Sequence, residues 1–110
     1  MELKRVVVTG LGAVTPLGLN VDETWEALLN GVSGAGPITH FDASQFKTQF
    51  ACEVKNFDPT LYLDKKEVRK FDRYAQFAVA AAKEAVGDSA LDLEKVDKNR
   101  VGVIFAAGIG

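Results

Sequence analysis

The sequence predicts an α/β protein, on two observations. Near-continuous apolar runs rich in β-branched residues occupy positions 5–9 and 100–106, and between them lie stretches of helical apolar periodicity, each opened by a capping pair. Runs this apolar suit strands covered on both faces, as in a parallel sheet. Two parallel strands joined through helices imply a right-handed crossover.

Taken in order, residues 5–9 (Arg-Val-Val-Val-Thr) are the first predicted strand, stopped by Gly10. Gly10, Gly12, Pro16 and Gly18 make the next segment a loop. The first helix is expected to open with Asn20 as N-cap and Glu23 as its capping-box partner. Val21, Trp25, Leu28 and Leu29 then recur at the spacing of one helix face, and Gly31 supplies the stop. Residues 32–60 are irregular. Their glycines, Pro37, Pro59, Phe41, Phe46, Phe50 and Phe57 describe a long ordered excursion pinned by aromatics. Such loops are often functional, although packing against a later part of the chain accounts for it equally well. A second helix should start at Asp64, capped by Asp64 and Glu67. It leads through Phe71 and Asp72 into the alanine-rich residues 74–86, as one helix or a pair, with Gly87 as its stop. Residues 100–106 are the second strand.

Length and composition bound the rest. The 110 residues allow at most one small domain. Apolar residues at 47% and charged residues at 25% exclude disordered and collagen-like classes. A formal charge of -2 argues against a nucleic-acid-binding surface. The single cysteine, Cys52, excludes an intramolecular disulfide or a multi-cysteine zinc site and fits a reducing cytoplasm. The apolar run after Lys4 and Arg5 stops at Thr9, short of the roughly 7–15 residues of a signal sequence. No window approaches the roughly 20 residues that span a bilayer. A cytoplasmic protein without nucleic-acid or membrane partners is expected. The last residues, Ile104-Phe105-Ala106-Ala107-Gly108-Ile109-Gly110, read as a buried strand entering a glycine-rich turn. Domains seldom end on such a strand, so the fold is expected to continue past residue 110.

Several motifs compete for chemistry. Val-Val-Val-Thr-Gly-Leu-Gly at residues 6–12 suggests a dinucleotide fingerprint, but its third glycine would fall at Thr15, and the helix starts too late to reach a pyrophosphate. A strand entering a tight turn is the better reading, and no cofactor is expected. Cys52 has Glu53 as its neighbour, which disfavours a thiolate; it reads as a small apolar filler. His40 is the only histidine and has no metal co-ligand or nucleophile at a suitable spacing, so it reads as a loop residue. The basic cluster is more informative. On a continuous helix Lys65, Lys66, Arg69, Lys70 and Arg73 fall within about 140° of one another, with Val68, Phe71 and Tyr74 opposite. Asp72 alone lies near that face. The residues leave two readings open, a solvated face and a docking site for an anionic partner.

These pieces resemble a family. Arg5-Val6-Val7-Val8-Thr9-Gly10-Leu11-Gly12, Thr15-Pro16-Leu17-Gly18, Thr24-Trp25-Glu26-Ala27-Leu28-Leu29-Asn30-Gly31 and Gly34-Ala35-Gly36-Pro37-Ile38-Thr39-His40-Phe41-Asp42 are similar to the opening of β-ketoacyl-carrier-protein synthases of the type II-like group. Arg69-Lys70-Phe71-Asp72-Arg73 is similar to that family's R-x-M-D-R segment, with Phe71 in place of methionine, and Gly108-Ile109-Gly110 to its glycine-rich turn. The resemblance covers the whole chain. It implies a thiolase-like fold, in which residues 1–110 supply the βαβ portion of the first mixed five-stranded sheet and only part of the N-terminal domain. It also implies an acyltransferase of fatty-acid synthesis that acts as a homodimer. In such an enzyme an acyl group moves from acyl carrier protein to a cysteine and is condensed with malonyl-carrier protein. The family's cysteine and two histidines lie beyond Gly110, so no catalytic residue transfers to this chain. Lys66, Arg69 and Lys70, with Lys65 assisting, match positions that meet the carrier. Gly108 and Ile109 match the border of the acyl tunnel. A polyketide ketosynthase and a non-catalytic chain-length factor share the same opening, and a self-contained βαβ binding module is the reading outside the family.

Overall fold

The computed structural model describes residues 1–110. The chain forms two compact units, Ala13–Asp58 and the combination of Met1–Gly12 with Pro59–Gly110.

The unit Ala13–Asp58 is organised by local hydrogen bonds. Helix α1 spans Val21–Leu29. Asn20 stands at the expected N-cap with extended backbone, and its side chain accepts from the Glu23 amide at 2.8 Å. The Glu23 carboxylate returns to the Leu19 amide at 2.8 Å, one residue earlier than the standard capping box. The helix leaves through Gly31, whose φ of 64° is closed to most side chains. The Gly31 amide donates to Leu28 and the Val32 amide to Ala27, the paired bonds of a Schellman stop. Ahead of the helix, Thr15 and Gly18 exchange backbone bonds of 2.9 and 3.2 Å, and the Thr15 hydroxyl accepts from the Leu17 amide. The apolar stripe is present but uncovered, with Trp25, Leu28 and Leu29 all more than half exposed.

The excursion after α1 contains a strand pair that the sequence pattern does not predict. Strands β1 (Gly36–Pro37) and β2 (Phe50–Ala51) run antiparallel, with Gly36 opposite Ala51 and Pro37 opposite Phe50. The Ile38 amide extends the ladder to the Gln49 carbonyl at 3.1 Å. Phe41 and Phe46 meet edge to face, their ring centres 5.8 Å apart. Phe57 is buried, whereas Phe41, Phe46 and Phe50 are all more than half exposed, so the expected aromatic pinning is limited to Phe57 and to the Phe41–Phe46 contact.

In the other unit, a 3₁₀ turn at Pro59–Leu61 leads to α2 (Lys65–Val68) and then α3 (Arg73–Asp88). Asp64 caps α2 as expected, its carboxylate accepting from the Lys66 and Glu67 amides at 2.9 Å each. The chain does not continue helically into α3, because Asp72 has ψ 161° and breaks the backbone path. Gly87 does not stop α3, which runs one residue further; the left-handed residue beyond its end is Ala90, at φ 54°. Gly10 and Gly12 serve close approach. A Cβ on Gly12 would lie 1.9 Å from the Ala81 carbonyl oxygen, and one on Gly10 2.3 Å from that of Ala85. The Leu11 amide between them donates to Asp88 at 2.9 Å. The N-terminal segment is thereby fastened along the backbone of α3.

The two predicted parallel strands do not form. Residues 5–9 and 100–106 make no ladder with each other or with any other segment, and the only sheet is the β1–β2 pair. A strand needs lateral partners for its amides and carbonyls and cover for its faces. Here Val6 is 89% and Ile104 96% exposed. The buried apolar core is confined to Ala43, Phe57 and Ala80. No helix is long and apolar enough to cross a membrane.

Candidate functional site

The basic residues gather at the α2–α3 corner, but not as the face of one helix. Lys65 and Lys66 belong to α2, Arg69 is its C-cap, Lys70 lies in the following turn and Arg73 opens α3. The extended backbone at Asp72 invalidates angles reckoned along a continuous helix. Lys65, Lys66, Arg69 and Lys70 are exposed, and none of the ion pairs in the chain involves them. Arg73 is exposed as well, and its guanidinium lies over the Phe77 ring, 5.3 Å from the ring centre, a cation–π distance. Arg73 thus differs from the other four cations in having a ring partner on its own helix.

The corner is held by a residue absent from the sequence expectations. Gln76 is the one buried polar residue, 7% exposed. Its Nε2 donates to the carbonyls of Val68 and Phe71, at 3.1 Å each. These carbonyls bracket Arg69 and Lys70. The backbone amides of Lys70 and Phe71 donate to the Glu67 carbonyl at 2.9 and 3.2 Å. Glutamine is mostly an exposed type; the available signal was its place four residues before Ala80, on the small-residue stripe of α3.

An apolar groove runs along α3. Tyr74, Ala78, Ala82 and Val86 line it together with Val103 and Phe105, around about 540 Å³. Its rim carries Lys83, whose ammonium donates to the Tyr62 carbonyl. Ile109 is no part of this groove. Its side chain is fully exposed, and Gly108 beside it faces open space. Within residues 1–110 the Ile109 side chain is neither a plug nor a cavity wall.

Cys52 is exposed, which corrects its reading as a filler. Exposure alternates along residues 50–53, with Ala51 and Glu53 turned inward and Phe50 and Cys52 outward. Inward-facing Glu53 accepts from the Thr39 amide at 3.0 Å and hydroxyl at 2.7 Å. These two bonds hold its carboxyl below the usual range, with a smaller contribution from His40. His40 is a loop residue as expected, its Nε2 3.8 Å from the Glu53 carboxylate. A backbone bond from Ser44 likewise lowers Asp42. Neither carboxylate belongs to the α2–α3 corner.

Comparison with known proteins places these features in a family. The model of the beta-ketoacyl synthase N-terminal domain matches residues 3–110. The chain is 54% identical over all 110 residues to a 3-oxoacyl-[acyl-carrier-protein] synthase 2 of Coxiella burnetii, and it spans 27% of that relative's length. Among solved structures, the ishigamide ketosynthase/chain length factor aligns with a TM-score of 0.73 at 39% identity, covering 82% of this chain and 22% of that one. A type II PKS acyl-carrier protein in complex with its ketosynthase aligns with a TM-score of 0.68 at 28% identity, covering 89% and 24%. The neighbours bear out the α/β, thiolase-like fold class expected from the sequence, whereas the βαβ strands expected within residues 1–110 are not formed. From the small-residue opening packed on α3 to the glycine turn at its end, the chain belongs to the beta-ketoacyl synthase family and matches its N-terminal domain.

Proposed function

We propose that the protein carrying this segment is a β-ketoacyl-acyl-carrier-protein synthase of fatty-acid synthesis. The observation that carries this reading is the 54% identity along the entire chain to a 3-oxoacyl-[acyl-carrier-protein] synthase 2. In the proposed reaction an acyl group passes from a carrier thioester to an enzyme cysteine, releasing the carrier thiol. Malonyl-carrier protein then loses CO₂, and the resulting enolate carbon attacks the acyl-enzyme carbonyl, expelling the cysteine thiolate. Backbone donors and two histidines stabilise the developing negative charge. In this reading the cysteine and both histidines lie outside residues 1–110, which form only part of the N-terminal domain. Cys52 and His40 take no part. The full protein works as a cytoplasmic homodimer without cofactor.

Two roles fall to this segment. Lys65, Lys66, Arg69 and Lys70 meet the acyl carrier protein, and Gly108 and Ile109 border the acyl chain. Support for the first is the set of four exposed cations outside any ion pair on a chain of net negative charge. Exposed contacts of this kind contribute about 0.2–1 kcal/mol each, so a double charge reversal is the appropriate probe. Arg69→Glu with Lys70→Glu in the full-length enzyme should slow carrier association and flatten its salt dependence. Unchanged carrier affinity at low salt would return the corner to a solvated face.

The polyketide systems among the structural neighbours favour a second reading, a polyketide ketosynthase or its chain-length factor. Incubating the full-length protein with acyl-carrier protein and measuring its intact mass separates these roles. A stoichiometric acyl adduct excludes a chain-length factor, and the carrier preferred in that reaction distinguishes the two pathways.

A further inference from the structure

We infer that Gln76 is a positioning residue for the carrier-docking corner, acting through the backbone that bears Arg69 and Lys70. The inference rests on the docking reading above and adds the means by which two flexible cations are presented at fixed spacing.

The joint between α2 and α3 is short of partners for its carbonyls. Helix α2 is only four residues long, and the last carbonyls of any helix have no bond within it. Asp72 opens α3 without a side-chain capping bond. A free turn here would let Val68 and Phe71 swing their carbonyls toward water and carry Arg69 and Lys70 with them. Both hydrogens of the Gln76 amide are spent on these two carbonyls, at 3.1 Å each. The amide orientation follows from this geometry, because the opposite placement would set its oxygen against two carbonyl oxygens. The Gln76 oxygen then remains buried with no partner. Leaving a buried acceptor unpaired is unfavourable, and the arrangement persists because the nitrogen holds both sides of the joint. With Lys70 and Phe71 also donating to the Glu67 carbonyl, the peptide units on either side of the Arg69–Lys70 pair are fastened from within.

Holding the backbone reduces the freedom lost when both cations engage an acidic partner at once. Gln76 touches neither partner nor substrate, so its effect must pass through Arg69 and Lys70. The test uses the full-length enzyme, acyl-carrier protein, and a small acyl thioester that has no carrier. Gln76→Met keeps the length of the side chain and removes both donors. It should raise the KM for acyl-carrier protein about two- to fivefold, the scale of one exposed charge contact, with turnover of the small thioester unchanged. Placed on an Arg69→Ala, Lys70→Ala background, the same substitution should have no further effect on the carrier KM, because contacts sharing one route are not additive. Gln76→Asn, too short to reach both carbonyls, should fall between wild type and Gln76→Met.

An equal loss on the carrier and the small thioester in both Gln76 variants would make Gln76 a general stability residue and overturn the proposal. A loss that adds in full to Arg69→Ala, Lys70→Ala would also overturn it. If the alanine pair leaves the carrier KM unchanged, the docking reading fails and takes this one with it. If the pair raises KM and Gln76→Met does not, only the role of Gln76 fails.

Discussion

The α2–α3 corner and the apolar segment from Val101 onward belong to the same unit and differ in how completely they are satisfied. At the corner, Asp64, Glu67 and Gln76 provide partners for backbone groups within eight residues of themselves. The apolar segment has the more strand-prone composition, yet it forms no ladder and leaves Ile104 almost fully exposed. The first structure is decided by neighbours in sequence. The second requires partners far along the chain, and a strong propensity does not substitute for them.

The largest effect expected from this contrast concerns the 110-residue chain on its own. It should retain helical circular dichroism from α1 and α3, melt without a cooperative transition and associate through residues 5–9 and 101–105. A sharp melt of a monomer, with a well-dispersed amide spectrum, would show that the local bonds suffice and would break the comparison.

A second expectation concerns the end of the apolar segment in the full-length protein. Ile109 is exposed here, and the proposed function makes it a wall of the acyl cavity. Ile109→Phe should then leave the melting temperature unchanged, preserve acylation by short primers and exclude long ones. If Ile109 is instead a plug in the completed fold, the larger ring overpacks it at about 1–3 kcal/mol. Equal loss on every primer with a lowered melting temperature would decide for the plug.

What could be read in advance follows the same division. Asn20, Gly31 and Asp64 were legible because a cap and the group it satisfies lie within a few residues. The joint at Asp72 was only half legible. Aspartate is a good N-cap type, but its extended ψ, which breaks the basic face in two, is not written in a helical wheel. The β1–β2 pair was hidden because glycine and proline are poor strand residues and the partners lie some fourteen positions apart. Glycines at 10 and 12 have the sequence signature of turn makers, whereas their contact is with a helix some seventy residues later. The exposure of Cys52 is not legible in sequence because it follows the alternation that starts in β2, whose pairing carries no local signal. Of the candidate site, the cations were evident as residue types. Gln76 was not, since its partners are carbonyls that carry no sequence label.

A packing test sharpens the contrast at an intermediate scale. Gly12→Ala in the full-length protein would place a methyl group 1.9 Å from the Ala81 oxygen, a separation that must be relieved by moving the N-terminal segment or α3. The expected cost is about 1–3 kcal/mol, read as a lower denaturant midpoint at unchanged slope. A neutral result would mean that residues 1–12 are less firmly held on α3 than their backbone contacts imply.

The smallest effect lies in the other unit, where Glu53 tests whether a local bond has the electrostatic consequence its geometry implies. Its ordinary pKa is 4.5, and it is lowered first by the Thr39 amide, then by the Thr39 hydroxyl, with His40 contributing less. A carboxylate lowered on folding stabilises the fold above its ordinary value, and that contribution is lost as pH falls through the lower, folded value. The loss attributable to Glu53 should therefore appear below pH 4.5 and not near neutrality. Thr39→Val removes the hydroxyl and keeps the amide. The Glu53 pKa should rise part of the way back, which a carboxyl-carbon NMR titration of selectively labelled protein can follow. A full return would assign the whole shift to the hydroxyl. No change would leave it with the amide and His40, so that the 2.7 Å side-chain bond positions Glu53 beside β2 without tuning its charge.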